Sequence, residues 1–441
     1  MKTFLKKITP KFLIKCYHFS LAKLGAIWYG HPSRKMIVIG VTGTKGKSTV
    51  VNLIATILEE AGHKVGLTST IGFKIADREW VNDTKQTMQG RFRLQQLLAD
   101  MARAGCRYAV IETSSEGIAQ YRHVGIDYDI AVFTNLSPEH IESHGSFANY
   151  KNAKSKLFSG LQTSFRKTIN GQPVKKVMVA NADDEQAAYF LKFSADEKIT
   201  VGLHPGRGTL YASQIVATDH GTNFKVNNES VQLKLLGEFN VYNALLAMAV
   251  GQSQGVEFSV MKKALEKVSG LPGRMEEIKN NKGFRIFVDY AHEPASLEAV
   301  YKTVKSFQPK KIIAVLGSQG GGRDKAKRPV LGRLAGQYAD CIIVTNEDPY
   351  DEDPQQIIEE VARGALARNA SLGEASGLHV ARGQVEKILD RKEAIQKALS
   401  LAQKGDIVII TGKGSETVMA VGGGQKIHWD DRAAVNELLK L

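Results

Sequence analysis

The stretch MIVIGVTGTKGKSTVVNLIATILEEAG, residues 36–62, decides the fold of this chain. It opens with an apolar run rich in Val and Ile, passes through a glycine-containing turn, and continues with apolar side chains at Val51, Ile54, Ile57 and Leu58. That spacing is the repeat of one helix face, whereas the opening run is typical of a strand buried on both sides. A strand, a tight turn and a helix in this order indicate a parallel sheet covered by helices.

The turn itself, TGTKGKST (42–49), has the chemistry of a phosphate-binding loop. Its glycines let backbone N–H groups and the N-terminus of the following helix surround phosphate oxygens. Lys47 can reach the β and γ phosphates, and the Ser48 hydroxyl can hold Mg²⁺. The spacing departs from GxxxxGK[ST] because Val41 stands at the first position. We predict nucleotide binding, and not a merely structural turn, by Gly43, Thr44, Lys45, Gly46, Lys47, Ser48 and Thr49.

The alternation of apolar runs and helical stretches continues along the chain in two series. Two successive α/β units explain it better than one very large sheet, and SGLPGR (269–274) interrupts the pattern with Gly and Pro between them. We predict an α/β fold, with a P-loop-type doubly wound central ATPase domain at 36–272 and a Rossmann-like C-terminal α/β domain at 273–441. The runs are YAVIETSS (108–115), YDIAVFTN (128–135) and KVMVAN (176–181), then FRIFVDYAH (284–292), KKIIAVLGS (310–318), CIIVTNEDP (341–349) and DIVIITGKG (406–414).

We predict that residues 1–35 are a basic amphipathic N-terminal extension. Its apolar residues are interrupted by Lys15, His18 and Lys23, which excludes a spanning helix, and it has no convincing signal-peptide cleavage site. Two interpretations remain open: an extension that packs on the first domain, which we favour, or an interfacial helix that makes peripheral contact with an anionic membrane.

The overall composition restricts the partners and the compartment. A formal charge of +14 suggests anionic partners, among which charge alone does not distinguish nucleotides, phosphorylated sugars, nucleic acid and anionic lipid. The three cysteines, Cys16, Cys106 and Cys341, are far apart and match neither a disulfide framework nor a zinc-ligand spacing. We therefore expect a reducing, cytoplasmic location.

Further motifs identify a family. The loop TGTKGKST is the form seen in Mur ligases and folylpolyglutamate synthases, and the downstream motifs favour the Mur ligases. The chain resembles that family over nearly its whole length, and within it the UDP-N-acetylmuramoyl-tripeptide synthetase group. The motifs are FTNLSPEHIESHGSFANYKNAKSKLF (133–158), LLGEFNVYNALLA (235–247), LPGRME (271–276), VDYAHEP (288–294), GGRDKAKRP (321–329), DRKEAI (390–395) and TGKGSE (411–416).

The resemblance implies an ATP-dependent ligase that joins a carboxylate to an amine through an acyl phosphate. The implied acceptor is a muramoyl-L-Ala-D-Glu peptide of peptidoglycan biosynthesis, and the implied donor is a diamino acid, lysine or meso-diaminopimelate. The family normally opens with a uridine-diphosphate-binding domain of about a hundred residues, which about 35 residues before the loop are too few to form. We therefore expect an acceptor bound by its sugar and peptide alone, one completed by a partner protein, or one linked to lipid.

An acyl phosphate forms from two anions, so its site must gather positive charge. The resemblance implies Glu112 as a Mg²⁺ ligand beside Ser48, and His140 as a ligand of a second metal. It implies that Lys154 is carbamylated by CO₂ and then bridges or orients magnesium. The implied catalytic residues are Lys47, Lys154 and His140. Taken alone, Glu112 could be an ordinary strand-end carboxylate, and Lys154 a solvated helix lysine.

Substrate contacts follow from the same resemblance. Asn240 and Asn243 match residues that read adenine, although Asn240 could instead cap a helix. Arg274 and Asp289 match contacts to phosphate and ribose. The D-glutamate end of the acceptor is assigned to Thr87, Ser114, Gln120 and Arg122, next to a motif in which Glu116 replaces the family's usual histidine.

The added amino acid depends on a motif that departs from the family. Ligases specific for meso-diaminopimelate carry DNPR, whose arginine can pair with the distant carboxylate, whereas this chain reads EDPY at 347–350. Two carboxylates suit a cationic side chain, so we place lysine slightly ahead of diaminopimelate, while Arg323 could replace the missing arginine. The residues implied for this substrate are Glu347, Asp348, Tyr350, Gly412 and Glu416.

Two other functions remain open, and a third has no support from the motifs. A folylpolyglutamate synthase shares the loop and the chemistry, but its family fits the downstream motifs less well. A catalytically degenerate nucleotide-binding regulator is a second alternative, although the implied catalytic residues are all present. No aromatic and basic recognition motif supports nucleic-acid binding, so we expect no nucleic-acid partner.

Overall fold

The computed structural model describes residues 10–139, 144–367 and 384–440. The chain divides into two compact units, the first made mainly of residues up to 267 and the second mainly of residues from 268 onward. Both units are α/β, with large sheets whose central strands are parallel, and the predicted fold class is confirmed. Across the described part of the chain, no helix is long and apolar enough to cross a membrane.

An eleven-stranded sheet is the centre of the first unit, with the order β13-β12-β11-β10-β9-β6-β1-β5-β2-β3-β4. The neighbours from β10 to β2 are parallel, and β1, β5, β6 and β9 are buried along their whole length, as expected for a sheet covered on both faces. The strands are β1 (Ile37–Thr42), β2 (Val65–Thr68), β3 (Gly72–Ile75), β4 (Arg78–Val81), β5 (Tyr108–Glu112), β6 (Ile130–Phe133), β9 (Val177–Asn181), β10 (Glu197–Gly202), β11 (Leu210–Thr218), β12 (Gly221–Val226) and β13 (Glu229–Leu233), and β7 (Thr168–Ile169) pairs separately with β8 (Gln172–Pro173).

The helices of the first unit cover this sheet. The helix that follows the phosphate loop, α2, packs against α7 and α8, while α1 packs on α3. They are α1 (Lys11–Trp28), α2 (Lys47–Glu60), α3 (Arg91–Arg103), α4 (Ser115–Ala119), α5 (Phe147–Thr163), α6 (Ala187–Leu191), α7 (Phe239–Ser253) and α8 (Phe258–Lys267).

The second unit has a six-stranded sheet of order β14-β15-β19-β16-β17-β18, parallel from β15 to β18. The carboxyl ends of parallel strands meet at one edge, so the loops that follow β15, β16, β17 and β19 lie together. The strands are β14 (Glu276–Glu277), β15 (Arg285–Asp289), β16 (Ile312–Leu316), β17 (Cys341–Val344), β18 (Gln384–Lys387) and β19 (Ile407–Thr411), with a separate pair β20 (Val418–Val421) and β21 (Gln425–His428). The helices are α9 (Pro294–Ser306), α10 (Lys327–Tyr338), α11 (Pro354–Leu366), α12 (Arg391–Leu401) and α13 (Asp431–Leu438).

Candidate active site

The loop between β1 and α2 has two positions that accept only glycine. At Gly43 the backbone has φ +149°, and an added Cβ would lie 1.9 Å from Thr134 Oγ1. At Gly46 φ is +79°, and a Cβ would lie 2.4 Å from Asn243 Oδ1. A side chain at either position would meet both backbone strain and a steric clash. The close packing of the loop therefore explains both glycines.

The segment that follows β6 holds the loop in place. The backbone N–H of Thr44 donates to the Asn135 carbonyl at 2.8 Å, and that of Lys45 donates to Asn135 Oδ1 at 2.9 Å. Thr134 Oγ1 donates to the Lys45 carbonyl at 2.6 Å. The Lys45 ammonium pairs with Glu139 at 2.6 Å. The loop is thus preorganised by bonds to a neighbouring strand end, as an anion-binding loop requires.

Ser48 and Glu112, both predicted metal ligands, meet beside the loop. Ser48 Oγ donates to Glu112 Oε2 at 2.9 Å, and the Thr70 backbone N–H donates to the same oxygen at 2.7 Å. Glu112 is only 2% exposed. A hydroxyl and a carboxylate are hard oxygen donors, and Mg²⁺ binds through one or two protein carboxylates together with substrate phosphates and water. These two side chains therefore fit the ion that the sequence predicted.

A second metal ligand has less support from the structure. His140 lies outside the described residues, so its predicted role stays a prediction. Within residues 10–139, 144–367 and 384–440, no group of three or more His, Cys, Asp or Glu side chains could hold a metal ion.

Lys154 of α5 is buried against the phosphate loop. It is 1% exposed, and its Nζ donates to the Gly43 carbonyl at 2.6 Å and lies 4.5 Å from the centroid of the Tyr150 ring. Burial, together with the nearby Lys47 ammonium, holds the pKa of Lys154 well below its ordinary value. The interpretation of Lys154 as a solvated helix lysine is therefore wrong. Lowering the pKa of a lysine increases the fraction of neutral amine, which is the nucleophilic form.

The asparagines of α7 lie on the other side of the loop. Asn243 Nδ2 donates to Asn240 Oδ1 at 2.8 Å, and both side chains are buried. The contact with Gly46 places the Asn243 amide directly beside the phosphate loop. The residues predicted to bind adenine thus lie next to those predicted to bind phosphate. That Asn240 and Asn243 hydrogen-bond to adenine stays a prediction.

The residues predicted to hold the acceptor lie on two connected segments. Thr87 Oγ1 accepts a 3.0 Å hydrogen bond from Thr70, whose backbone bonds Glu112, so this segment is linked to the metal-ligand pair. Arg122 donates to Gln120 Oε1 at 2.8 Å and also to the Met88 carbonyl, which joins the segments around 87 and 121.

Ser114 caps the start of α4. It precedes α4, and its hydroxyl accepts from the Gly117 backbone N–H at 3.1 Å. Glu116, which replaces the family histidine, is exposed. His144 lies in the same region and was not singled out from the sequence. Its Nε2 is 3.2 Å from Ser115 Oγ, and burial lowers the pKa of the imidazole.

In the second unit, Asp289 holds the backbone of the LPGRME segment. Its Oδ2 accepts from the Met275 N–H at 2.7 Å, and its Oδ1 accepts from the Ala291 N–H at 2.7 Å. The Arg274 guanidinium lies 4.5 Å from the centroid of the Tyr290 ring. Asp289 therefore has a positioning role in this segment, and its predicted contact with ribose stays a prediction.

The carboxylates of the EDPY motif differ in their surroundings. Asp348 Oδ1 accepts from Lys413 Nζ at 2.9 Å and from the Ala420 N–H at 2.7 Å. Lys413 also donates to Glu416 Oε2 at 2.7 Å. A buried lysine thus compensates the charge of Asp348, and the predicted contact of Asp348 with the incoming amino acid stays a prediction. Lys413 stands at the centre of the quoted TGKGSE motif, which was the signal that could have identified it.

Glu347 has no such partner. It is fully buried, and among the described residues neither of its carboxylate oxygens accepts a hydrogen bond. Burial, with a further contribution from Asp348, raises the pKa of Glu347 to about 7. The carboxylate faces Gly412, where an added Cβ would lie 2.4 Å from Glu347 Oε2.

Tyr350 occupies the place of the family's arginine. Its ring packs on Gly321, where an added Cβ would lie 2.7 Å from the ring, and its hydroxyl is hydrogen-bonded to Arg323. A guanidinium is thus present close to the position from which the DNPR arginine is missing.

Comparison with known proteins decides the family. The Mur ligase middle domain matches residues 41–251, and the Mur ligase glutamate ligase domain matches residues 273–414. A UDP-N-acetylmuramyl-tripeptide synthetase from Roseiflexus sp. strain RS-1 is 39% identical over 428 residues, which are 95% of this chain and 82% of the relative. The chain belongs to the Mur ligase family.

Other Mur ligases match to a similar extent. A UDP-N-acetylmuramoyl-L-alanyl-D-glutamate–2,6-diaminopimelate ligase from Bacillus cereus is 36% identical, over 98% of this chain and 83% of the relative. A solved structure of a ligase of that name has 31% identity and a TM-score of 0.61, and it covers 92% of this chain and 78% of its own. A folylpolyglutamate synthase from Mycobacterium tuberculosis has 17% identity and a TM-score of 0.67, with 89% and 92% of the two chains covered, which shows a shared fold alone.

Membership of this family gives the reaction class. Mur ligases are ATP-dependent peptide ligases that use Mg²⁺, so this Mur ligase is an enzyme of that class. The phosphate loop and the Ser48–Glu112 pair are the parts of the described structure that fit this chemistry.

Proposed function

We propose that this Mur ligase adds a diamino acid to the D-glutamate carboxylate of a muramoyl-L-Ala-D-Glu acceptor in peptidoglycan biosynthesis, in the cytoplasm. The arrangement at the phosphate loop carries the proposal: Ser48 and Glu112 are bonded to each other, and Lys154 is bonded to the loop carbonyl of Gly43. We assign ATP binding to residues 36–272 and amino-acid binding to residues 273–441. The names of the most similar relatives support this substrate class.

The first half of the reaction activates the acceptor. A carboxylate oxygen attacks the γ phosphorus of ATP, a new O–P bond forms, and the bond to the β-phosphate oxygen breaks, so that ADP leaves with the electron pair. The loop N–H groups and Lys47 stabilise the charge on the phosphates. Mg²⁺, held by Ser48 and Glu112, would neutralise further phosphate charge. Thr87, Ser114, Gln120 and Arg122 orient the acceptor.

The second half forms the amide. The amine of the incoming amino acid attacks the acyl carbon, inorganic phosphate leaves, and the amine loses a proton. Glu347, Asp348, Tyr350, Gly412 and Glu416 are the residues that we assign to this amino acid. We place lysine ahead of diaminopimelate because position 350 lacks the arginine and because the Glu347 carboxylate accepts no hydrogen bond from the described residues. The hydrogen bond between Tyr350 and Arg323 is the observation that favours diaminopimelate instead.

Lys154 is the residue that we propose to be carbamylated. Its neutral amine attacks the carbon of CO₂, an N–C bond forms, one C–O π pair moves to oxygen, and the nitrogen releases a proton. The product is an anionic carbamate in place of a cation, beside Ser48, Glu112 and the loop. Deep burial and the lowered pKa of Lys154 support this step, because only the neutral amine is nucleophilic.

Phosphate release from ATP tests the proposal. With Mg²⁺, bicarbonate and UDP-MurNAc-L-Ala-D-Glu, release that depends on lysine or diaminopimelate is expected, and alanine as donor is expected to give none. Lys154→Ala is expected to abolish turnover. The matched control is Lys156→Ala, an exposed lysine of the same helix, which is expected to retain it. Turnover with alanine equal to that with lysine or diaminopimelate would contradict the assignment of a diamino acid.

Two further arms of the assay separate the alternatives. If ATP binds and no UDP-linked acceptor supports turnover, the same assay with a lipid-linked muramoyl dipeptide identifies that acceptor class. A folate acceptor with glutamate as donor tests the folylpolyglutamate synthase alternative, and we expect no phosphate release from that pair.

A further inference from the structure

The N-terminal helix α1 is attached to the first unit by its smallest residues. Ala22, Gly25 and Ala26 are buried, and Gly25 faces Phe92 and Gln95 of α3. Ala26 lies against Gly125, where an added Cβ would come within 2.7 Å of the Ala26 Cβ. The contact between Ala26 and Gly125 leaves no room for a larger side chain there. Together these contacts fix the orientation of the helix on the domain.

The large apolar residues of α1 point away from this contact. Leu13, Tyr17, Leu24 and Trp28 follow one another at helical spacing, and they are 53%, 61%, 57% and 79% exposed. Ile27 beside them is also exposed. A helix packed only on its own domain would place its large residues inward and its small or polar ones outward. In α1 the small residues face the domain and large apolar residues face outward. An exposed apolar stripe of this kind indicates a surface that binds a partner.

Charge indicates what kind of partner covers the stripe. Lys23 is exposed and lies beside the stripe at helical spacing, Lys15 is exposed nearer the start of the helix, and the sequence contains six lysines and no Asp or Glu in its first 30 residues. Lysine is depleted at protein–protein interfaces, whereas lysines flanking an apolar face with Trp and Leu are typical of helices that lie in the membrane interface. The basic flanks complement anionic lipid headgroups.

We propose that α1 binds the surface of an anionic lipid membrane through Leu13, Tyr17, Leu24, Ile27 and Trp28. The axis of the helix lies in the plane of the interface, with Lys23 at the headgroups. Because small residues hold α1 on the domain, the whole first unit is carried to the membrane with the helix. This binding is independent of the ligase reaction and of the acceptor's identity.

Flotation of the full chain with lipid vesicles tests the proposal. We expect the wild type to float with equimolar phosphatidylglycerol and phosphatidylcholine vesicles, and far less with phosphatidylcholine alone. Added salt is expected to weaken the binding, because headgroup attraction is screened. The emission of Trp28 is expected to shift to the blue on binding. The shift is taken as the difference from a Trp28→Phe variant, since the chain has three tryptophans.

Variants distinguish membrane binding by this face of α1 from nonspecific binding by other exposed apolar residues. The triple change Leu13→Ser, Leu24→Ser and Trp28→Ser is expected to lower the bound fraction at least about tenfold, because it removes most of the apolar anchor. A matched control changes Val216, Leu366 and Ile427 to serine, three apolar residues that are exposed elsewhere, and is expected to bind like the wild type. Lys23→Gln is expected to reduce the preference for anionic vesicles. Circular dichroism checks that each variant is folded.

Two results would overturn the proposal. One is a triple variant that floats as well as the wild type. The other is wild-type protein that does not float with anionic vesicles. If that protein instead self-associates or binds a protein in a way that the triple variant loses, the stripe is assigned to a protein interface.

Discussion

Ser48 and Glu112 are 64 residues apart in the chain, yet a 2.9 Å hydrogen bond joins Ser48 Oγ to Glu112 Oε2. The bond exists because β1 and β5 are parallel neighbours, with Val41 paired to Glu112. The helix that begins at the end of the β1 loop therefore starts beside the end of β5. Parallel strands bring a loop hydroxyl and a strand-end carboxylate to one place, where a phosphate-bound Mg²⁺ can meet both.

Removing the charge of Glu112 tests this pair. Glu112→Gln keeps an oxygen that can accept from Ser48 and Thr70, so we expect the fold to survive while turnover falls at least about 100-fold, since a transition-state charge contact is lost. Phosphate release measured over a series of Mg²⁺ concentrations gives the effect. Glu116→Gln, at an exposed position nearby, is the control. Unchanged turnover and Mg²⁺ dependence in Glu112→Gln would remove Glu112 from the metal site.

Gly46→Ala tests the packing of the loop. Its Cβ would lie 2.4 Å from Asn243 Oδ1 at a φ of +79°, so we expect weaker ATP binding. We also expect a loss of about 1–3 kcal/mol of stability, the usual cost of such backbone strain. Isothermal titration with ATP and thermal unfolding measure the two effects.

Gly160→Ala is the matched control for Gly46→Ala. Gly160 lies within α5, and nothing is within 4 Å of an added Cβ there. We expect normal ATP binding and a gain of about 0.5–1 kcal/mol, because alanine replaces a helical glycine. ATP affinity reduced equally in both variants would contradict the steric argument.

Removal of CO₂ tests the carbamate on Lys154. We expect turnover in bicarbonate-free buffer to fall and to return when bicarbonate is added. Since protonated amine does not react with CO₂, and the carbamate needs the neutral form, turnover at limiting bicarbonate is expected to decline as the pH falls. Carbon-13 bicarbonate gives a direct readout: a carbamate signal in the wild type that is missing in Lys154→Ala and present in Lys156→Ala. A wild type without that signal at saturating bicarbonate would refute the modification.

The buried carboxylate of Glu347 predicts a pH dependence of stability. Its pKa is raised from 4.5 to about 7, so between these values the folded protein binds more protons than the unfolded chain. The free energy of unfolding therefore falls as the pH rises through this window. Relative to Glu347→Gln, the wild type is expected to lose up to about 3 kcal/mol of stability across it.

Urea unfolding of the wild type and of Glu347→Gln at a series of pH values measures this difference. Glu229→Gln, at an exposed position, provides a baseline. A difference between wild type and Glu347→Gln that stays constant with pH would mean that Glu347 keeps its ordinary titration.

The fold was largely predictable because its signals are local. Apolar runs marked β1, β5, β6 and β9 as buried strands, and helical periodicity with two glycines marked the phosphate loop and α2. The edge strands were less predictable, because β3 and β4 are short and partly exposed and their burial pattern depends on neighbours far along the chain.

The residue types of the candidate site were predictable from the sequence. Their burial and their charge pairing were less predictable. Lys151, Lys154 and Lys156 are alike in a local pattern, and only the resemblance to a family singled out Lys154. The sequence placed Asp348 beside Glu347 and gave no sign of its partner, Lys413, which is 65 residues away and donates a hydrogen bond to it. His140 lies outside the described residues, so its part in the site rests on the sequence alone.

The sequence by itself determined the α/β class, the glycines of the loop and the family, because strand periodicity, turn chemistry and motifs are properties of neighbouring residues. Tertiary structure alone decided which charges are buried and which are compensated. The packing of α5 on the loop buries Lys154, and Lys413 pairs with Asp348. Glu347 accepts no hydrogen bond from any residue that the structure describes. Desolvation and charge pairing depend on distances across the fold, and these distances are set only when the strands and helices assemble.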